Sequence, residues 1–425
     1  MKRIFFLLFF LLLITSSIAD DGLTVVAIGK ATLEKEKISF AGNHGGFKSD
    51  YEKLLDIIKN DFAFYKNKFE VSVAKNAGYE MKIDLSSVKN STTLLSATFE
   101  ILKVSTNRKI LEEKIQFSRA NLIKTAHQIS ELSYRAIVGK KAIFNSFIVF
   151  TSDKISSGDM TLKELYKMDY DGRNVERLTF HNSNVISPAI SPDNRYIVYS
   201  MIKNIKDTKH RNIDLYHLDT VTKQSVLLLS KRGINSGAVY MPDGKNIVVT
   251  LTYLGNAELY IYNLETRALR RLTNHYAIDV DPSVSGDGRI IAFLSSRPGK
   301  AMIYTLDTSG MEKSVRRISY VGQYNATPRF SPAGAQIAFS SWVDDRFDIY
   351  RIGANGTDLV RLTKDFGSNE DPVFSGDGEF IAFSSQRVIS RIKAVQNIYV
   401  MTKDGEIIRS LTQNEGNCIT PRWSN

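Results

Sequence analysis

His181, His275, Asp279, Asp281, Glu370 and Asp371 fall in short polar stretches that recur along the second half of the chain. Imidazole exchanges protons near neutral pH, and neighbouring carboxylates attract divalent cations. One reading of these residues is therefore a secreted enzyme acting on a glycan or peptide, with His275, Asp279, Asp281 and Glu370 as acid, base or metal ligands. The sequence patterns that accompany such chemistry are missing: there is no H-E-x-x-H, no G-x-S-x-G and no G-x-x-x-x-G-K-[ST]. The acids also lack the regular spacing of a dedicated calcium loop, so no metal and no cofactor is expected. A single cysteine, Cys418, excludes a disulfide framework and a Cys-rich zinc site, and its place beside an expected strand marks it as a buried thiol. The same stretches hold Asn and Tyr in quantity, a mixture that suits protein recognition, where rings anchor and amides orient.

A repeat must position these residues. Leu165-Tyr166, Leu215-Tyr216, Leu259-Tyr260, Ile303-Tyr304, Ile349-Tyr350 and Ile398-Tyr399 recur at intervals near 45 residues. Most are followed by a short strand of the Arg-Leu-Thr type, as at 177–179, 271–273 and 361–363. Then come a loop, a turn (SPDN 191–194, MPDG 241–244, SGDG 285–288, SPAG 331–334, SGDG 375–378) and an apolar strand such as Ile337–Ser341. Asp-Gly between apolar strands signals a tight hairpin with both central residues at positive φ. Four short strands per period of about 45 residues describe a propeller blade. The first unit, at Phe147–Ser152, lacks an inner strand, and the last residues, Thr420–Ser424, supply one without a blade. Pairing the two closes a ring of six blades over 147–425 and leaves no open sheet edge. All loops entering an inner strand then emerge on one face. They carry the candidate binding residues His181, Asn184, Asn235, His275, Tyr276, Asp279, Asp281, Tyr324, Asn325, Asn369, Glu370 and Asn417.

Residues 20–140 read as a small α/β domain. Ser49-x-x-Glu52 forms a capping box for a helix burying Tyr51, Leu54, Leu55, Ile58 and Phe62. Ser118 caps a second helix that ends at Gly139, with His127 on its surface. Phe69–Val73, Glu80–Leu85, Leu94–Val104 and Ile110–Phe117 read as strands. Lys2 and Arg3 precede an apolar run from Ile4 to Ile14, and small residues at Ser17 and Ala19 complete a signal peptide, residues 1–19, cut between Ala19 and Asp20. The run is too short for a membrane span, so an exported chain that does not cross the membrane is expected. Lys and Arg number 56 against 45 Asp and Glu, a net +11, but the two signs are interspersed, which argues against nucleic-acid binding.

An α/β domain, six blades with SPDG-type turns and Arg-Leu-Thr strands, and the closing Thr420-Pro421-Arg422-Trp423-Ser424 together resemble the TolB family of the periplasmic Tol–Pal system. The resemblance covers nearly the whole exported chain. It implies a periplasmic adaptor, not an enzyme, that supports outer-membrane integrity and envelope constriction at division. It further implies that the propeller mouth binds the lipoprotein Pal. The exported amino terminus, here Asp20, Asp21, Gly22, Leu23, Thr24, Val25 and Val26, would meet a TolA-like inner-membrane protein, with other outer-membrane proteins as further partners of a monomer.

Overall fold

Alternating apolar residues on short strands, separated by Gly- and Asp-containing turns, produce six four-stranded antiparallel sheets. The computed structural model describes residues 35–72, 77–89, 91, 93–157, 161–204, 211–309, 314–390 and 393–425. The expected signal peptide and the expected partner segment Asp20–Val26 lie outside them. The described residues fall within one unit, Ala31–Asn425.

The amino-terminal layer is a five-stranded sheet with two helices. Its strands are β1 (Glu36–Asn43), β2 (Phe69–Val71), β3 (Tyr79–Ser87), β4 (Leu94–Lys103) and β5 (Arg108–Ser118), in the order β2-β1-β3-β4-β5. Strand β1 pairs in parallel with β2 and β3 and was not foreseen; only Ile38 and Ser39 of its EKISFAGN are buried. Helix α1 spans Lys48–Phe64 and α2 Leu122–Val138. Neither expected amino-terminal cap forms. Phe47 precedes α1 and Asn121 precedes α2, both without a side-chain cap bond, because Ser49 lies inside the first turn and a 3₁₀ turn follows Ser118. Gly139 does end α2, at φ 78° with its N–H on Arg135 O at 2.8 Å.

His127 is a correction: it is 3% exposed, not a surface residue. The helix pattern shows one apolar face, but α2 is covered on a second side by the first blade, where His127 meets Tyr170 edge to face at 5.4 Å. The two layers share one apolar core running from Ile38 to Phe380 and Trp423. Phe64 and Tyr65, at the end of α1, pack on Phe380 with ring centroids 4.9 and 4.8 Å away. The Tyr65 hydroxyl donates to Asp377 at 2.6 Å and accepts the Ile143 N–H at 3.0 Å. Lys68 reaches both Glu379 and the Tyr134 hydroxyl at 3.0 Å.

The ring closes as the repeat requires. Cys418–Trp423 is the inner strand of the blade begun by Phe147–Ser152, and Ser424 N–H donates to Phe147 O at 2.9 Å. The turns joining the first and second strands of each blade differ from expectation. Only the fourth residue, as in Asn194, Gly288 and Gly378, has positive φ, while the Asp before it does not. Ser285 and Ser375 hydroxyls donate to Asp287 and Asp377 at 2.6 Å, and each Asp accepts an N–H two residues on at 3.1 Å. These are type I turns followed by a left-handed residue, built around an Asp acceptor. Every inner strand also carries a bulge with a left-handed residue: Ser187, Gly237, Asp281, Thr327, Asp371 and Thr420. Proline follows five of them, where the ladder is already interrupted and a missing N–H costs little.

Candidate functional site

The loops entering the inner strands are organised from beneath by buried acids. Glu164, Glu258 and Asp348, each 0% exposed, lie at or near the start of the third strand of their blades, the first two as its first residue and Asp348 two residues in. Glu258 accepts the Thr273 hydroxyl at 2.6 Å, Arg271 at 3.0 Å and the backbone N–H of His275 at 2.8 Å. Asp348 takes Thr363 at 2.7 Å and Asn369 at 3.1 Å, and Glu164 takes Thr179, Arg177 and the Asn182 N–H. The Thr hydroxyls in turn accept third-strand N–H groups, as Leu259 N–H does on Thr273 at 3.0 Å. The Arg-Leu-Thr motif is thus a scaffold clamp, and the sequence reading missed its acid, which stands 15 residues before the Thr.

Four of the twelve candidate residues, Asn235, Asp279, Asn325 and Asn369, are 0% exposed. Asn235 is spent on Ile213 O and Lys231 O at 2.8 and 2.7 Å, and Asn325 donates to Ser319 at 2.8 Å. Asp279 pairs with Arg297 at 2.6 Å. These side chains fix the loops and do not face the mouth. Asn417 ties its loop to Asp153 at 2.8 Å, and Asn184 is half-buried at its strand start. His181 lies 2.6 Å from the Tyr199 hydroxyl, and burial lowers its pKa, favouring the neutral ring. His275 accepts the Ala277 N–H on Nδ1 at 3.1 Å and lies against Tyr276, ring centroids 4.2 Å apart. Asp281 is held by Arg329 at 3.0 Å. The acid–base set suggested by the sequence is therefore engaged piecemeal: Asp279 and Asp281 with arginines, His275 with its own loop.

Large apolar and aromatic side chains reach solvent here, among exposed polar ones such as Asn182, Arg232 and Gln323. Tyr276 is 86% exposed, Tyr320 70%, Phe180 67% and Tyr324 44%, joined by Ile234 and Ile278 on the same set of loops. Leu254, in the connection between the second and third strands of its blade, and Val388 and Ile389, at the end of the second strand Phe380–Ser390 of theirs, lie toward the same face. Nine of the twelve large exposed hydrophobics described on the propeller thus share one face, whereas the α/β layer contacts the opposite one through Asp377 and Glu379. Between the loops lies a cleft of about 710 Å³ lined by Asp281, Gln323, Tyr324, Trp342, Phe347 and Glu370. Phe347 stands edge-on to both Trp342 and Tyr324, at 5.0 and 6.0 Å. Burial, then the neighbouring Asp371 charge, pushes the Glu370 carboxyl up to about 7. Deeper in, burial and the neighbouring Arg329 hold Arg422 down at about 9.

A family model of the TolB beta propeller domain matches residues 134–425. The chain belongs to the TolB family. It is 27% identical over 391 residues to the Tol-Pal system protein TolB of Francisella tularensis subsp. mediasiatica, covering 89% of this chain and 79% of that one. It is 33% identical over 213 residues to the Protein TolB homolog of Chlorobium chlorochromatii, spanning 50% of this chain and 45% of that relative. The crystal structure of TolB from Acinetobacter baumannii superposes with a TM-score of 0.76 at 22% identity, over 93% of this chain and 98% of that one, and shares its fold. Among the described residues no helix is long and apolar enough to cross a membrane. In this chain the fold sets exposed aromatic loops and a cleft on a scaffold of buried acids.

Proposed function

We propose that this chain is the TolB component of a periplasmic Tol–Pal system, an adaptor that docks Pal on the loop face and a TolA-type partner through Asp20–Val26. The observation that carries the reading is the one-sided exposure of Phe180, Tyr276, Tyr320 and Tyr324 on the loop face, where Tyr324 also lines the cleft. Contiguous exposed apolar surface marks an interaction site, and aromatic rings give large contact area for little lost side-chain freedom. The loops bearing them are fixed from below, by Glu164 under Phe180, by Glu258 under Tyr276 and by the Asn325–Ser319 bond beside Tyr320 and Tyr324, so little ordering cost falls on binding. Tyr276 and Tyr324 serve as anchors, Gln323 and His275 orient the partner's polar groups, and Glu370 tunes the charge of the cleft. Docking on one face leaves the α/β layer and the chain amino terminal to it available to a second partner, which is the arrangement an adaptor of envelope integrity and constriction requires.

The test is a calorimetric titration of the purified chain with the soluble domain of its own organism's Pal. Saturable binding is expected, weakened at least about tenfold by Tyr276→Ala or Tyr324→Ala, since central aromatic anchors typically contribute 1–2 kcal/mol or more. Absence of binding between two folded proteins overturns the proposal.

A further inference from the structure

The contact between the α/β layer and the first blade holds a polar cluster that the binding face does not use. Asp61 on α1 is 1% exposed and takes two donors: the Tyr170 hydroxyl and His127 Nδ1, which lies 3.0 and 3.1 Å from its oxygens. A carboxylate only accepts, so Nδ1 carries the hydrogen, and when the ring is neutral Nε2 presents a lone pair. Nε2 has no hydrogen-bond partner, although the side chain is almost wholly buried. It points to Asp171, whose Oδ2 is 3.9 Å away, and one ligand atom from each of His127, Asp169 and Asp171 lies within 4.8 Å of the others.

We propose that His127, Asp169 and Asp171 form a binding site for a zinc-class divalent cation at the junction of the α/β layer and the first blade. Zinc sits about 2.0–2.2 Å from nitrogen and oxygen ligands, so in its usual tetrahedral geometry ligands on one ion stand about 3.4 Å apart. His127 and Asp171, now at 3.9 Å, need to close by about half an ångström, and the other pairs, now within 4.8 Å, by up to about 1.4 Å. The Asp61–His127 pair is the carboxylate–histidine arrangement that fixes the tautomer of metal-bound imidazole. The acids are themselves oriented: Asn174 donates to Asp169 Oδ2 at 2.6 Å, and Arg173 donates its backbone N–H to Asp171 Oδ1 at 3.1 Å with its guanidinium 3.3 Å from Oδ2. A cleft of about 530 Å³ lined by His127, Asn145 and Asp169 opens on the cluster, giving the ion a path and room for a water ligand. Lys124 and Lys167 line the same cleft and oppose a cation, so the site requires the imidazole as well as the two charges. A bound ion would join α2 to the turn after the third strand of the first blade. The competing occupant of the gap is a proton on Nε2, giving an imidazolium beside Asp171.

The experiment titrates the full chain with zinc chloride near neutral pH, and separately with Co²⁺ while recording its visible absorption. One ion per chain is expected, with affinity falling about 10–100-fold in Asp171→Asn and in His127→Gln, and a Co²⁺ spectrum of a low-coordinate nitrogen–oxygen site. Should His127→Gln fail to fold by circular dichroism, Asp171→Asn and the X-ray absorption spectrum of the zinc-loaded protein decide, the latter expected to show one imidazole. No saturable binding overturns the proposal. Unchanged affinity in the folded variants does so too, because it moves the ion to other histidines such as His44 or His275. A ¹⁵N spectrum with Nε2 protonated both with and without zinc establishes the imidazolium and equally overturns it.

Discussion

Replacing Glu370 by Gln should remove a pH dependence from the stability of the protein. The carboxyl sits in the cleft beside Tyr324, Trp342 and Phe347, with its pKa raised from the ordinary 4.5 to about 7 by burial and then by Asp371. A raised carboxyl binds its proton more tightly in the folded chain than in the unfolded one. Its stabilising contribution is therefore complete below the unfolded value and lost as pH rises through about 7. At about 1.36 kcal/mol per unit the shift sets a ceiling near 3 kcal/mol, and the partial solvent contact of the side chain brings the expected effect to roughly 1–2 kcal/mol. The assay is urea unfolding of wild type and Glu370→Gln from mildly acidic to mildly alkaline pH, reading the difference between them so that other titrating groups cancel. The variant should gain on the wild type by that amount as pH rises. A difference that stays flat across neutrality refutes the placement of Glu370 in a poorly solvated cleft.

Other consequences follow from the scaffold. Glu258→Ala strips the clamp on Arg271, Thr273 and the His275 loop, and should lower unfolding free energy by about 2–4 kcal/mol in urea melts. Tyr65→Phe leaves Asp377 Oδ2 and the Ile143 N–H without the hydroxyl that pairs with both and should cost about 1–3 kcal/mol in the same assay, with the loop face still binding. Burial pushes the Cys418 thiol up to about 12, so an aromatic disulfide reagent near pH 8 should label it only after unfolding. Rapid labelling of the native protein would contradict that burial.

The blades were readable because their determinants are local. Asp-Gly turns, Arg-Leu-Thr strands and alternating apolar residues each act within a few positions, and their recurrence multiplies the signal. The closing strand Cys418–Trp423 was readable by arithmetic alone, as the one inner strand left without a blade. What failed depends on distant partners. Strand β1 shows little alternation and is set by parallel pairing to β3, and His127 is buried only because the first blade covers α2. The turn conformation was misread because an Asp acceptor and a following Gly serve a type I turn as well as the mirror-image one. At the candidate face, residue type points to polar side chains whose burial the sequence does not show. Asn and Asp were weighted for polarity, yet Asn235, Asn325 and Asn369 spend it inward, while Phe180, Tyr320 and Ile278 carry the exposed surface. Large apolar residues placed in loops between polar neighbours were the available signal.

The most direct test of the docking face is backbone hydrogen exchange of the full chain with and without the soluble domain of Pal. The adaptor account predicts new protection in the loops 180–188, 274–282 and 320–328, with exchange unchanged at the 375–380 turn that meets the α/β layer. Protection confined to that turn and its neighbours, with the aromatic loops unaffected, would contradict it.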